Sequence, residues 1–162
     1  IRRLAGIRQC LEEHGLPEDH LEILSTSRKE FAKYPGDRAE YQNGYDRTIE
    51  ALQNGTASTA FIGNNDMTAL GIMDAITKLG YKIPFDYSVC GFDNIPLASM
   101  KQISLTTIEH ATVQKGHEAV DLIHKKHSQD HSGRQPSYTV RLEYEPQLIV
   151  RNSTGKCRKN LH

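Results

Sequence analysis

The sequence predicts an α/β domain in which a parallel sheet carries helices on both faces. Short apolar runs alternate with longer stretches whose apolar residues recur at helical spacing. Asn, Asp or Gly stands at the joins between them, where helices start and stop. With 162 residues, 37% of them apolar, the chain is long enough to bury one ordinary core.

The elements follow in order. Leu4, Ile7 and Leu11 lie on one helical face that Gly15 and Pro17 close. This rhythm is already running at the first residues, without an initiator Met, so a longer parent chain is expected. Leu21-Glu22-Ile23-Leu24 reads as a short strand, and Pro35-Gly36-Asp37 as a polar loop. Tyr45, Ile49 and Leu52 mark a second helix, which Asn54-Gly55 stops. Thr59-Ala60-Phe61-Ile62 reads as a buried strand. Asn64-Asn65-Asp66 then caps a helix with Ala69, Ile72, Met73, Ile76 and Leu79 on one face, ending at Gly80. Tyr87 to Phe92 is a third strand and Leu105-Thr106-Thr107-Ile108 a fourth. A helix with Val113, Gly116, Val120 and Ile123 inward follows, and 138–150 gives one or two closing strands broken by Pro146. The stretch 124–136 reads as a helix end running into a loop, and the polar, basic tail after Asn152 is expected to fray.

Composition excludes several classes of function. Twenty Lys and Arg balance twenty Asp and Glu, so this stretch has no surplus charge with which to grip phosphates. No apolar run approaches the roughly 20 residues that span a bilayer. Cys10, Cys90 and Cys157 form neither an even disulfide set nor a CxxC pair, which fits a reducing compartment. There is no GxSxG elbow, no GxxxxGK[ST] loop and no GxGxxG after a strand. Asp93 and His110 lack an activated Ser or Cys beside them, and Cys90 reads as a small core residue, so no enzyme is expected. His124, His127 and His131 with Asp130 share a helical face but lack an HExxH or CxxC anchor. They read as a solvated helix end; neither metal nor cofactor is expected.

In open parallel sheets, ligands bind beyond the carboxyl ends of the strands. Two polar clusters fall there, Gly63-Asn64-Asn65-Asp66 and Gly91-Phe92-Asp93-Asn94. If the strands are neighbours, Asn65, Asp66, Asp93 and Asn94 converge. Asn and Asp side chains suit a sugar, because one carboxylate accepts from two adjacent hydroxyls. Taken singly, each cluster also reads as a helix cap or a turn.

A set of motifs occurs in order: Arg3-Leu4-Ala5-Gly6-Ile7, Thr59 to Asp66, Ala69-Leu70-Gly71, Ile83-Pro84 with Asp86, Ser88 to Asn94, Leu105 to Ile108, and Glu145 to Thr154. Together they resemble the effector-binding core of the Lac repressor (LacI/GalR) family of bacterial transcription regulators, over nearly the whole chain. The resemblance implies a type I periplasmic-binding-protein-like module of two lobes closing on a small molecule, usually a sugar. Residues 1–107 would form the second lobe, 108–133 a helix and loop of the first lobe, 134–154 closing strands returning to the second, and 155–162 a flexible tail. It also implies a cytoplasmic homodimer and operator DNA read by an N-terminal domain outside this chain. Arg3, in an RxxG motif, resembles the effector-gripping Arg; Asn65 and Asp93 resemble the residues that hold effector hydroxyls; His110 stands near the hinge, facing the cleft. The family's stacking aromatic falls near Arg38-Ala39 here. Tyr41 is the substitute, and Arg38 suits a phosphorylated or acidic ligand. A solute-binding protein of a sugar transporter is the alternative with the same fold.

Overall fold

The computed structural model describes residues 2–34, 36–130 and 139–157. Helix α1 (Arg2–Glu13) ends where Gly15 takes a φ of 66°. A single turn, α2 (Arg28–Phe31), follows; the Ser27 hydroxyl accepts from Glu30 N–H while the Glu30 carboxylate accepts from Ser27 N–H. Then come α3 (Ala39–Gln53), β1 (Ala60–Ile62), α4 (Asp66–Lys78), β2 (Ser88–Cys90), β3 (Thr107–Glu109), α5 (Thr112–Asp130) and β4 (Gln147–Ile149).

β1 and β2 are parallel neighbours with Phe61 opposite Val89, and β3 pairs antiparallel with β4, placing Ile108 opposite Leu148. A parallel bridge between Cys90 and Thr106 joins the two pairs. Gly91 N–H donates to the Thr106 carbonyl at 2.9 Å, and Asp93 N–H to the Ile108 carbonyl at 2.9 Å. The chain leaving β2 is thereby stitched to the chain entering β3.

Helices α3 and α4 pack against each other with unusually close backbones. A Cβ on Gly44 would lie 2.3 Å from the Thr68 carbonyl oxygen, and one on Gly71 2.0 Å from that of Tyr41. Glycine at the crossing is what lets α4 reach the sheet. There Ala69, Ile72 and Ile76 meet Leu52, Phe61, Val89, Ala98 and Leu105 in the core. Full burial of a side chain such as Ile76 is worth roughly 1.5–3 kcal/mol.

Four expectations change. Leu21 to Leu24 is extended but pairs with no strand among the described residues; its backbone groups find no sheet edge, and Ile23 and Leu24 stay exposed. β1 is not buried throughout, because only Phe61 faces the core while Ile62 points outward. The closing segment gives one strand in its described part, within the one or two expected, but the α5 face expected inward is exposed, with Val113 at 88% and Val120 at 64%. The stretch after Asn152 does not fray where it begins: Ser153 is fully buried, and Gly155 N–H donates to the Ser88 hydroxyl at 3.1 Å. The loop and tail readings at 131–138 and 158–162 lie outside the described residues.

Candidate functional site

The parallel pairing of β1 with β2 brings the two polar clusters together at their carboxyl ends. Gly63 N–H donates to the Cys90 carbonyl and Asp66 N–H to the Phe92 carbonyl, both at 2.8 Å. Asp93 and Asn94 follow at φ values of 114° and 51°, in the left-handed region that side chains rarely adopt. The backbone holds them there through the bond to Ile108 and through Asn94 N–H, which lies 3.4 Å from the Thr107 hydroxyl. A non-glycine residue at φ 114° costs of order 1–3 kcal/mol, offset by the surrounding bonds. That cost makes Asp93 the residue whose side chain most needs a purpose.

Asp66 does not face a ligand, contrary to expectation. It is wholly buried; one carboxylate oxygen accepts from the Thr107 hydroxyl at 2.5 Å and the other from Ile95 N–H at 2.8 Å. It fastens the floor of the site. Gly91 lies against it, where a Cβ would come within 2.2 Å of Asp66 Oδ1. Asn94 is likewise committed. Its amide donates to Glu109 Oε2 at 3.1 Å, and its carbonyl oxygen accepts from Arg151 at 2.7 Å. That bond, with the backbone N–H groups of residues 110–112, holds the Glu109 carboxyl below its usual range.

Asn65 caps α4, its Oδ1 accepting from Thr68 N–H at 2.8 Å, so its NH₂ group is what remains to donate outward. Arg3 reaches from α1 to the carbonyl and side chain of Asn64 and lies 3.6 Å over the Phe92 ring. Phe92 in turn stacks on His110, ring centroids 5.4 Å apart. His110 Nε2 is 3.1 Å from Asp93 Oδ1, with the two side chains 28% and 35% exposed, so the pair is reachable from solvent. Arg3, Asn65, Asp93 and His110 thus form one cluster at the strand tips.

Arg38 and Tyr41 belong elsewhere. The Tyr41 hydroxyl donates to Asp74 on α4, which with burial pushes it up to about 12; the nearby Arg38 charge pulls the other way. No described contact links this group to the strand tips.

The sequence left Phe92, Lys115, Arg151 and Ser153 without roles. Phe92 and the Arg151-Asn152-Ser153 run lay inside the quoted motifs, but their partners are distant, His110 for Phe92 and residues 46 or more positions away for the Arg151 and Ser153 side chains, which leaves no local signal. Arg151 also donates to the Leu105 carbonyl at 2.7 Å. The Ser153 hydroxyl accepts from Thr106 N–H at 2.7 Å and donates to the Val89 carbonyl at 2.6 Å, filling a gap between two strands.

Chemically, the cluster offers a carboxylate acceptor, an amide donor and a guanidinium on an aromatic ring. Acceptors and donors of these kinds are chemically suited to hydroxyl groups. Burial first, and the Asp66 charge second, push the Cys90 thiol up, which keeps it protonated and poorly nucleophilic. No group of three or more His, Cys, Asp or Glu is placed to hold a metal among the described residues. No described helix is long and apolar enough to cross a membrane.

The profile of the periplasmic binding protein-like domain matches residues 1–154. The chain belongs to that family. Within it, the relatives are LacI-type regulators, and the chain covers only their C-terminal portion. The HTH-type transcriptional regulator DegA of Bacillus subtilis is 30% identical over 153 residues, which are 94% of this chain and 40% of DegA. The arabinose metabolism transcriptional repressor of Geobacillus stearothermophilus is 30% identical over 156 residues, 95% of this chain and 39% of the repressor. A LacI family transcriptional regulator from Enterococcus faecium, solved with bound ribose, matches with a TM-score of 0.74 and 27% identity, covering 96% of this chain and 51% of that one. The periplasmic-binding-protein-like fold expected from the motifs is therefore the fold of this chain.

Proposed function

We propose that this chain is the effector-sensing portion of a DNA-binding transcription repressor of carbohydrate-utilisation genes, gated by a sugar or a phosphorylated sugar. The observation that carries the reading is the open Asp93–His110 pair beside Arg3 and Asn65, at adjoining strand tips. Asp93 accepts from ligand hydroxyls, Asn65 donates, and Arg3 presents a cation to ring oxygens or a phosphate. Support comes from the arabinose repressor and from the ribose-bound regulator, both similar over nearly this whole chain. The regulator identities of the relatives favour this over the binding protein of a sugar transporter, and over an enzyme.

In this reading, residues 1–107 form the second lobe, α5 with the rest of 108–133 packs on a first lobe, and 134–154 returns. The protein works as a cytoplasmic homodimer, with operator DNA bound through a further N-terminal domain. Effector binding favours one lobe arrangement, and its differential affinity for the two arrangements sets the response.

The test is calorimetric titration of the full-length protein with D-ribose, L-arabinose and their 5-phosphates. Asp93→Ala and Arg3→Ala each weaken the best binder about tenfold or more, on the order of 1.4 kcal/mol. Unchanged affinity in both variants removes the cluster from the site.

A further inference from the structure

We propose that Lys115 is a positioning residue of this site: it fixes His110 in the neutral Nε2–H form, which aims the Asp93 carboxylate at the effector. The aiming step rests on the effector reading above; the tautomer does not.

An ammonium group has donors only, whereas each nitrogen of a neutral imidazole is either a donor or an acceptor. Lys115 Nζ stands 3.1 Å from His110 Nδ1. Nδ1 must therefore present its lone pair, which leaves the ring proton on Nε2. Nε2 is 3.1 Å from Asp93 Oδ1 and so donates to it. The reverse tautomer sets a ring N–H against the ammonium and a lone pair against the carboxylate, both unfavourable. The ammonium at Nδ1 and the carboxylate at Nε2 thus select the same tautomer from the two ends of the ring, and Lys115 supplies the share that Asp93 alone does not.

The described neighbours of the imidazole are consistent with this. Phe92 stacks on it at an interplanar angle of 29°, which stops the ring from turning, and Arg3 is spent on Phe92 and Asn64. Glu109, adjacent in the chain, is engaged by Asn94. Lys115 itself lies 5.5 Å from the Tyr144 ring centroid, and the Tyr144 hydroxyl donates to Glu118 at 2.6 Å, one turn along α5 from Lys115. The consequence falls on Asp93. Its Oδ1 is pinned by the His110 proton, so Oδ2 and the remaining lone pairs are held in a fixed direction for hydroxyl donors. The chain of contacts runs from α5 to the tip of β2, so any shift of α5 reorients the carboxylate.

The experiment is ¹⁵N NMR of histidine-labelled full-length protein at pH 8, where ring nitrogen shifts distinguish the tautomers. It is paired with calorimetry using D-ribose and D-ribose 5-phosphate. The expected result is Nε2–H at His110 in the wild type, a mixture of tautomers in Lys115→Met, and Nε2–H again in Lys115→Arg. Lys115→Met weakens sugar binding about three- to tenfold with an unchanged thermal midpoint, and Lys115→Arg restores most of it. An Nδ1–H tautomer in the wild type, or an unaltered Nε2–H population in Lys115→Met, overturns the proposal. If neither sugar binds the wild type while the tautomer responds as described, the relay stands and the sugar reading alone is weakened.

Discussion

Two regions of this chain use the same kinds of residue to opposite ends. Around β1, β2 and α4, the apolar residues are enclosed: Ile76, Val89 and Leu105 have no exposed surface. Along α5 and the segment leading through β4, Val113 is 88% exposed and Ile123 and Val150 each 69%. The apolar rhythm of α5 is as regular as that of α4, yet nothing among the described residues lies on it. Periodicity reports which face of a helix is apolar; it does not report what covers that face. The first region is also locked by side chains that bond across the chain, with Asp66, Arg151 and Ser153 each joining two segments. The second relies on its own helix, one strand pair and a few side-chain contacts such as Tyr144 to Glu118.

The contrast is broken most severely at Asp66. Asp66→Ala orphans the half-buried Ile95 N–H and the fully buried Thr107 hydroxyl, and is expected to cost about 3 kcal/mol in urea unfolding, with little change in the slope. Ser153→Ala removes a donor and an acceptor between Thr106 and Val89, and a loss of about 1.5 kcal/mol is expected in the same measurement. In the other region, Val120→Lys in these 162 residues alone stays within about 0.5 kcal/mol of the wild type, since that side chain is in water there, whereas in the longer protein the proposed packing of α5 on a first lobe makes the same change costlier. A loss as large as that of Ser153→Ala would show that the α5 face is covered. A further test is alkaline. The Tyr41 hydroxyl is raised in the folded state from 10.0 to about 12, so its bond to Asp74 favours folding fully below pH 10 and ceases to do so as pH rises through 12. The stability gap between wild type and Tyr41→Phe should shrink across that window; a gap that widens with pH would reverse the assignment.

The sequence made the scaffold legible where local chemistry decides it. Asn65 caps α4, Gly80 follows its end, and the alternation of helix and strand put both polar clusters at strand tips. It was least legible where the deciding partner is far along the chain. Asp66 sits one residue from Asn65, and its residue type says only that it needs donors; whether those are ligand hydroxyls or Thr107 and Ile95 depends on folding. Asn94 and Arg151 pose the same problem across 57 residues. The α2 turn was different, because Ser27 and Glu30 spell a reciprocal cap that was open to reading. Leu21 to Leu24 shows the opposite failure, a strand-like composition without a sheet edge to receive it.

Asp93 concentrates the whole account, since its backbone is held where glycine would be more comfortable while its carboxylate stays open to solvent. Asp93→Gly is therefore the most direct test, read by thermal unfolding and by sugar calorimetry on the same full-length preparation. The expected result is a protein at least as stable as the wild type that has lost sugar binding about tenfold or more. A variant that is less stable yet binds as well as the wild type would mean that Asp93 serves the loop and not a ligand.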